Sequence, residues 1–179
     1  MTHPLTARLD RSIVLVGLMG AGKSTVGRRL ARRLGLPFID SDDAIADASG
    51  LTAAEVFERF GEADFRDGER RLVARLAEGP VQVIATGGGA FVDPATRRML
   101  NANCHTVWLD APVDVLAERT GRRDSRPLLR GTNRHEKLQQ LLETRRAFYA
   151  EAHLHVRSSK AAHGEVVEAI VSALDGHLS

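Results

Sequence analysis

The chain has 179 residues, 43% of them hydrophobic and 27% charged, with a single cysteine, Cys104; this fits one soluble domain with its own core and excludes an internal disulfide scaffold or a disordered tail. Its 25 Lys+Arg against 23 Asp+Glu leave a formal charge of +2, and aromatic residues make up only 4%, which is too balanced and too poor in stacking platforms for a nucleic-acid binder. No apolar run reaches the ~18–20 residues of a membrane span and Met1–Asp10 lacks the apolar segment of a secretion signal, so a cytoplasmic protein with neither membrane nor nucleic-acid partner is expected.

Ser12–Gly17, SIVLVG, is a continuous apolar run of the kind that forms a strand buried on both faces. A helix is predicted from Lys23 to Leu34, with Val26, Leu30 and Leu34 as its core stripe and Arg28, Arg29, Arg32 and Arg33 on a solvated face. Pro37–Asp40, PFID, reads as the second strand, followed by short helices around Asp42–Ala48 and Thr52–Phe60 and a longer one around Glu62–Glu78. Val81–Ala85 is the third strand, with a helix after Pro94. His105–Asp110, HTVWLD, is the fourth strand, with Trp108 in the core, and Pro112 opens the next helix as a first-turn proline should. The arginine-rich stretch Gly121–Arg134 precedes a helix near His135–Ala150, Leu154–Val156 is a fifth strand, and Glu165–Leu174 is a last helix expected to end at Gly176. Strand–helix alternation with near-continuous apolar strands predicts an α/β domain whose parallel sheet is covered on both faces. No repeat or linker divides the chain, so a single domain over 1–179 is expected.

The most specific motif is GLMGAGKST, in which Gly17, Gly22, Lys23 and Ser24 fit the phosphate-binding loop G-x-x-x-x-G-K-[ST] between an apolar strand and a helix. Gly17, Gly20 and Gly22 let the backbone close around a phosphate, and the helix N-terminus adds partial positive charge. In such a loop (17–25) the nucleotide contacts fall on Gly20, Ala21, Gly22, Lys23, Ser24 and Thr25; Lys23 reaches the β- and γ-phosphates and the Ser24 hydroxyl is a magnesium ligand. A nucleoside triphosphate, ATP, with magnesium is therefore expected. The base-reading N-K-x-D of a switch GTPase does not occur. Asp110 closes an apolar strand and could imitate the acidic strand end of a motor ATPase, but Asp40 comes directly after the loop helix. A carboxylate there suits a small-molecule kinase, holding magnesium-bound water or accepting the substrate proton.

Four further features read as an acceptor site. DSDD supplies Asp40 and Asp42 as the chain leaves its second strand, though Asp42 or Asp43 could equally cap the following helix. DFRDGER puts Arg66 and Glu69 at i,i+3, a fork for a carboxylate with an acid to orient it, or else a surface ion pair. SRPLLRG places Arg126 in a segment, about 121–134, that could close over the nucleotide as a lid. ETRRAFY brings Arg145 and Arg146 late in a helix, where cations also favour the helix end. Between them stands ATGGGAFVD, three consecutive glycines at a strand's C-terminal edge, where open α/β sheets bind ligands.

In this order and spacing, GLMGAGKST, FIDSD, GEADFRDGE, TGGGA, RPLL and RRAFY make the chain resemble the shikimate kinases from about Ser12 to Val156. The resemblance implies a nucleoside-monophosphate-kinase-like fold around a five-stranded parallel sheet, with a helical acceptor region at about 41–70 and a lid. It implies ATP-dependent phosphorylation of the 3-hydroxyl of shikimate, a step on the chorismate route to aromatic amino acids. Asp40 then falls at the catalytic centre with Lys23 and Arg126, Asp42 on shikimate hydroxyls, and Arg66, supported by Glu69, on the shikimate carboxylate. Gly87, Gly88 and Gly89 offer backbone to the substrate, Gly88 foremost, and Arg119 and Arg126 lie on the nucleotide. The family's second carboxylate arginine sits in R-x-P-x-Y; here Ala147 replaces that proline, and Arg145 rather than Arg146 keeps the spacing to Tyr149.

The rival readings are a gluconate-type sugar-acid kinase, which would not carry TGGG together with FRxxE, and a non-catalytic ATP-binding module, which should show a damaged catalytic set. A monomer is expected. His153 and His155 alternate along the fifth strand, but two histidines without a third ligand do not make a metal site. Cys104 stands near no motif that would make it a nucleophile.

Overall fold

The computed structural model describes residues 2–121, 133–158 and 162–179. Strand β1 (Ile13–Val16) buries all four of its side chains completely. Successive strand residues point to opposite faces, so such burial requires cover on both sides of the sheet. The cover comes from α1 (Lys23–Leu34), α2 (Ser41–Ser49), α3 (Ala53–Glu78), α4 (Pro94–Asn103), α5 (Val113–Gly121), α6 (Arg134–Tyr149) and α7 (His163–His177). The remaining strands are β2 (Phe38–Asp40), β3 (Val83–Ala85), β4 (His105–Asp110) and β5 (Leu154–Arg157), all parallel in the order β2-β3-β1-β4-β5. Helices α1 and α7 pack on each other, while α4 lies against β4 and α3 against α4.

The register sets where chemistry can occur. β1 pairs Leu15 with Ala85 of β3, and β3 pairs Ala85 with Asp40 of β2. The strand ends that lead to the phosphate loop, to Asp40 and to the glycine triplet thus lie side by side at the C-terminal edge of the sheet. That edge is where parallel α/β sheets present ligand sites.

The helix boundaries follow expectation at one point and depart from it at two. The break expected between the helices on either side of Gly61 is present: within α3 Gly61 takes φ 85° and ψ 169°, a non-helical conformation that glycine reaches without steric cost. Gly176 does not end the last helix; α7 continues one residue further, to His177, and Leu178 beyond it packs against the core. The cap of α2 is Asp40, whose Oδ1 accepts the N–H of Asp42 at 2.8 Å and of Asp43 at 3.4 Å, so neither Asp42 nor Asp43 serves as the cap. Cys104 is buried, and burial pushes its thiol up to about 11, leaving it protonated and unreactive at neutral pH. Among the described residues no helix is long and apolar enough to cross a membrane.

Candidate active site

The phosphate loop wraps the start of α1. Gly17, Gly20 and Gly22 have φ of 144°, 86° and 93°, so the loop is built on conformations that residues with a Cβ rarely adopt. Gly22 is the N-cap of α1, and the helix opens with its unpaired N–H groups and positive dipole end turned to the loop. Lys23 is buried, its Nζ donating to the carbonyls of Gly17 at 2.7 Å and Leu18 at 3.0 Å. Arg119 reaches over from α5 and donates from Nη1 to the carbonyls of Gly20 and Ala21, at 3.3 and 3.1 Å. Ala21 is buried beneath the loop and Thr25 is exposed on α1.

Ser24 donates its hydroxyl to the Oδ2 of Asp40. Of the two acids that end apolar strands, it is therefore Asp40 that meets the loop. Asp110 instead accepts from His155 Nε2 at 2.9 Å, and His155 stacks on Trp108 with ring centroids 4.1 Å apart. A hydroxyl and a carboxylate oxygen together form a hard donor set of the kind magnesium uses.

The glycine triplet is the hub of the second half of the site. None of its three residues has a positive φ, so backbone freedom does not explain them. Space does. A Cβ on Gly87 would lie 3.1 Å from both Asp42 Oδ1 and Glu69 Oε2. On Gly88 it would lie 3.3 Å from the Met19 amide nitrogen in the phosphate loop and 3.8 Å from Arg145 Nη1, and on Gly89 only 2.1 Å from Arg66 Nη2. The three missing side chains thus make room for Asp42, Glu69 and Arg66, three of the residues expected at the acceptor site, and for the phosphate-loop backbone at Met19, while Arg145 would be in ordinary contact.

Two of these groups are held by their neighbours. Arg66 Nη1 donates to Glu69 Oε1 at 2.8 Å, and Glu69 is only 2% exposed. The Glu69 Oε2 atom finds no hydrogen-bond partner among the described residues. Burial raises its carboxyl above the ordinary value against the pull of Arg66, and Asp42 adds to the rise. Arg145 is buried and donates to the Gly88 carbonyl at 3.3 Å, whereas Arg146 is exposed.

Tyr149, not expected at the site, donates its hydroxyl to the same Gly88 carbonyl at 2.5 Å. Its spacing from Arg145 was the one sequence signal for it. The Gly87 N–H is given to the Ser41 hydroxyl at 3.1 Å, so that amide of the triplet serves the fold instead of facing a ligand. Arg126 lies outside the described residues, as does most of the expected lid at 121–134.

An anion cradle with a lysine therefore sits one strand from a pocket of two arginines and two carboxylates. A family model described as SKI: Shikimate kinase matches residues 19–175 of the chain. The chain belongs to the shikimate kinase family. It is 52% identical over 171 residues to the shikimate kinase of Caulobacter vibrioides (strain NA1000 / CB15N), covering 96% of this chain and 84% of that one. Among solved structures, a shikimate kinase from Acinetobacter baumannii in complex with shikimate superposes with a TM-score of 0.92 at 37% identity, covering 97% of this chain and 98% of the other. A gluconokinase from Sinorhizobium meliloti 1021 matches less closely, with a TM-score of 0.63 at 22% identity over 94% of this chain and 93% of the other. That likeness is one of fold alone. Shikimate kinases are ATP-dependent phosphotransferases, which fits a phosphate loop beside a cluster of two arginines and two carboxylates.

Proposed function

We propose that the chain transfers the γ-phosphoryl group of ATP to the 3-hydroxyl of shikimate, giving 3-phosphoshikimate and ADP, with magnesium bound to the nucleotide. One observation supports this reading above the others. The glycine triplet makes room for Asp42, Arg66 and Glu69 and for the phosphate-loop backbone at Met19, and its middle carbonyl accepts from Arg145. Two arginines suit a carboxylate and Asp42 suits ring hydroxyls, so an anionic polyol fits better than a neutral sugar.

Phosphoryl transfer asks for positioning and charge compensation more than covalent chemistry. The loop amides, Lys23 and Arg126 offset charge on the phosphate oxygens, with Ala21, Thr25 and Arg119 completing the nucleotide side. Ser24 and Asp40 would hold magnesium, which supplies further neutralisation of phosphate charge. Arg66 and Arg145 clamp the acceptor carboxylate, and Glu69 keeps the Arg66 fork in one orientation. Asp42 accepts from ring hydroxyls while Asp40, near the reacting hydroxyl, takes up its proton. Residues 41–70 serve as the acceptor region and 121–134 as a lid that excludes water. A monomer is taken as the working unit, and the use of ATP accords with a cytoplasmic location.

The test is ADP release from magnesium-ATP with shikimate, with gluconate and with no acceptor. Stimulation by shikimate alone is the expected outcome. Stimulation by gluconate, or release that ignores the acceptor, would contradict it.

A further inference from the structure

A second cluster of ligand-type side chains lies at the other end of the sheet. His105 opens β4, His153 immediately precedes β5 and His177 is the last residue of α7. The active-site groups follow the strands' C-terminal ends, so this cluster occupies the opposite edge. One ring nitrogen from each of the three lies within 4.8 Å of the others. His105 and His177 meet edge to face with centroids 5.4 Å apart, and His153 and His177 stack at 5.5 Å.

The position of His105 is what makes this a built arrangement. Its Nε2 is 3.0 Å from Asp10 Oδ1. A carboxylate on one imidazole nitrogen fixes the tautomer and leaves the other nitrogen, here Nδ1, as a lone-pair donor. This is the outer-shell partner typical of metal-bound histidines. Asp10 also offsets Arg11, to which it pairs at 3.2 Å. His105 is buried while His153 and His177 are exposed, so the rings face a rim that is open to solvent.

We propose that His105, His153 and His177 form a binding site for a borderline divalent transition cation, Zn2+ above all, separate from the magnesium–nucleotide site. Three imidazoles suit Zn2+ and its neighbours in the transition series, and do not suit magnesium, which takes oxygen. Tetrahedral coordination needs ring nitrogens about 3.3 Å apart, so the two exposed rings must close by up to about 1.5 Å, with solvent filling the remaining position. His153 Nδ1 accepts the Thr106 N–H at 3.2 Å, and this ring must give up that bond to ligate through either nitrogen. It is the weakest ligand of the three. Binding would clamp the end of α7 to the starts of β4 and β5.

The experiment is calorimetric titration of the full chain, free of affinity histidines, with ZnCl2 in the presence of excess Mg2+. One Zn2+ per chain and a raised Tm are expected. His177→Ala should abolish binding, His153→Ala should weaken it less, and Asp10→Asn should weaken it about tenfold through loss of the outer-shell carboxylate. All three positions are exposed and far from the phosphate loop, so magnesium-dependent kinase activity should not change. Absence of Zn2+ binding in the parent chain, or the same binding in His177→Ala and Asp10→Asn as in the parent, overturns the proposal.

Discussion

The Tyr149 hydroxyl donates to the Gly88 carbonyl at 2.5 Å, tying the last turn of α6 to the middle of the glycine triplet. Arg145 donates to the same carbonyl. The two residues share a helix and converge on one atom, so Tyr149 fixes both the peptide that lines the acceptor pocket and the turn that carries Arg145. Burial raises the Tyr149 phenol above its ordinary value, so it remains a donor throughout the working pH range.

Tyr149→Phe keeps the ring and removes only this donor. Loss of one net hydrogen bond is worth about 0.5–1.5 kcal/mol. The expected result is a shikimate KM raised roughly two- to tenfold with kcat changed less. Steady-state kinetics with each substrate varied in turn would check it, and an unchanged KM for shikimate would remove Tyr149 from the pocket.

Gly89→Ala tests whether the triplet exists for space. A Cβ there would come within 2.1 Å of Arg66 Nη2, the far end of a flexible side chain. The guanidinium moves aside at little cost to the fold, and the loss falls on binding. Shikimate affinity should drop about tenfold or more while Tm stays within a few degrees and ATP binding is kept. Unaltered shikimate affinity would show that the glycine is there for some other reason.

Glu69→Gln separates stability from binding. Burial raises the Glu69 carboxyl above 4.5, its ordinary value. A folded-state value above the unfolded one means a contribution fully present below the unfolded pKa and lost as pH rises through the folded one. Above the ordinary carboxylate range the group therefore costs the fold stability, and the amide should match or exceed the parent Tm. It holds Arg66 less firmly, so the shikimate KM should rise. A large fall in Tm for Glu69→Gln would show that its charge stabilises the protein.

Acid should weaken the fold before the carboxylates titrate. His105, His153 and His163 all lie below the ordinary 6.5, chiefly through burial. Arg11 and His177 press on the first two and Arg119 and Arg29 on His163, while Asp10 opposes the shift at His105. A folded value below the unfolded one gives stability that is present above pH 6.5 and lost as pH falls through the folded value. In chelator-treated protein, Tm should be level above about pH 7 and decline steadily toward about pH 5. A flat profile across that window would contradict this.

How much of this was legible in the sequence depends on how local the signal is. The phosphate loop lies within nine consecutive residues, and β4 shows its full extent as His105–Asp110. The acceptor residues were visible as types, while their convergence on three glycines is a property of the β2-β3-β1 strand order. Asp40 as the cap of α2 could not be told from Asp42 or Asp43, since any of the three could accept the exposed N–H groups. Gly176 carried a stop signal, yet α7 runs one residue past it. The histidine trio was invisible because residues 105, 153 and 177 meet only after the sheet and α7 are assembled.

The central claim is that Arg66, placed against Gly89 and held by Glu69, grips the acceptor's carboxylate. Its most direct test is the kinetics of Arg66→Ala with shikimate and ATP varied separately. A charge-assisted contact is worth about 1.5–3 kcal/mol, roughly ten- to a hundredfold in affinity. The expected result is a shikimate KM raised by that factor with the ATP KM unchanged. A variant that loses ATP affinity and binds shikimate normally would contradict it.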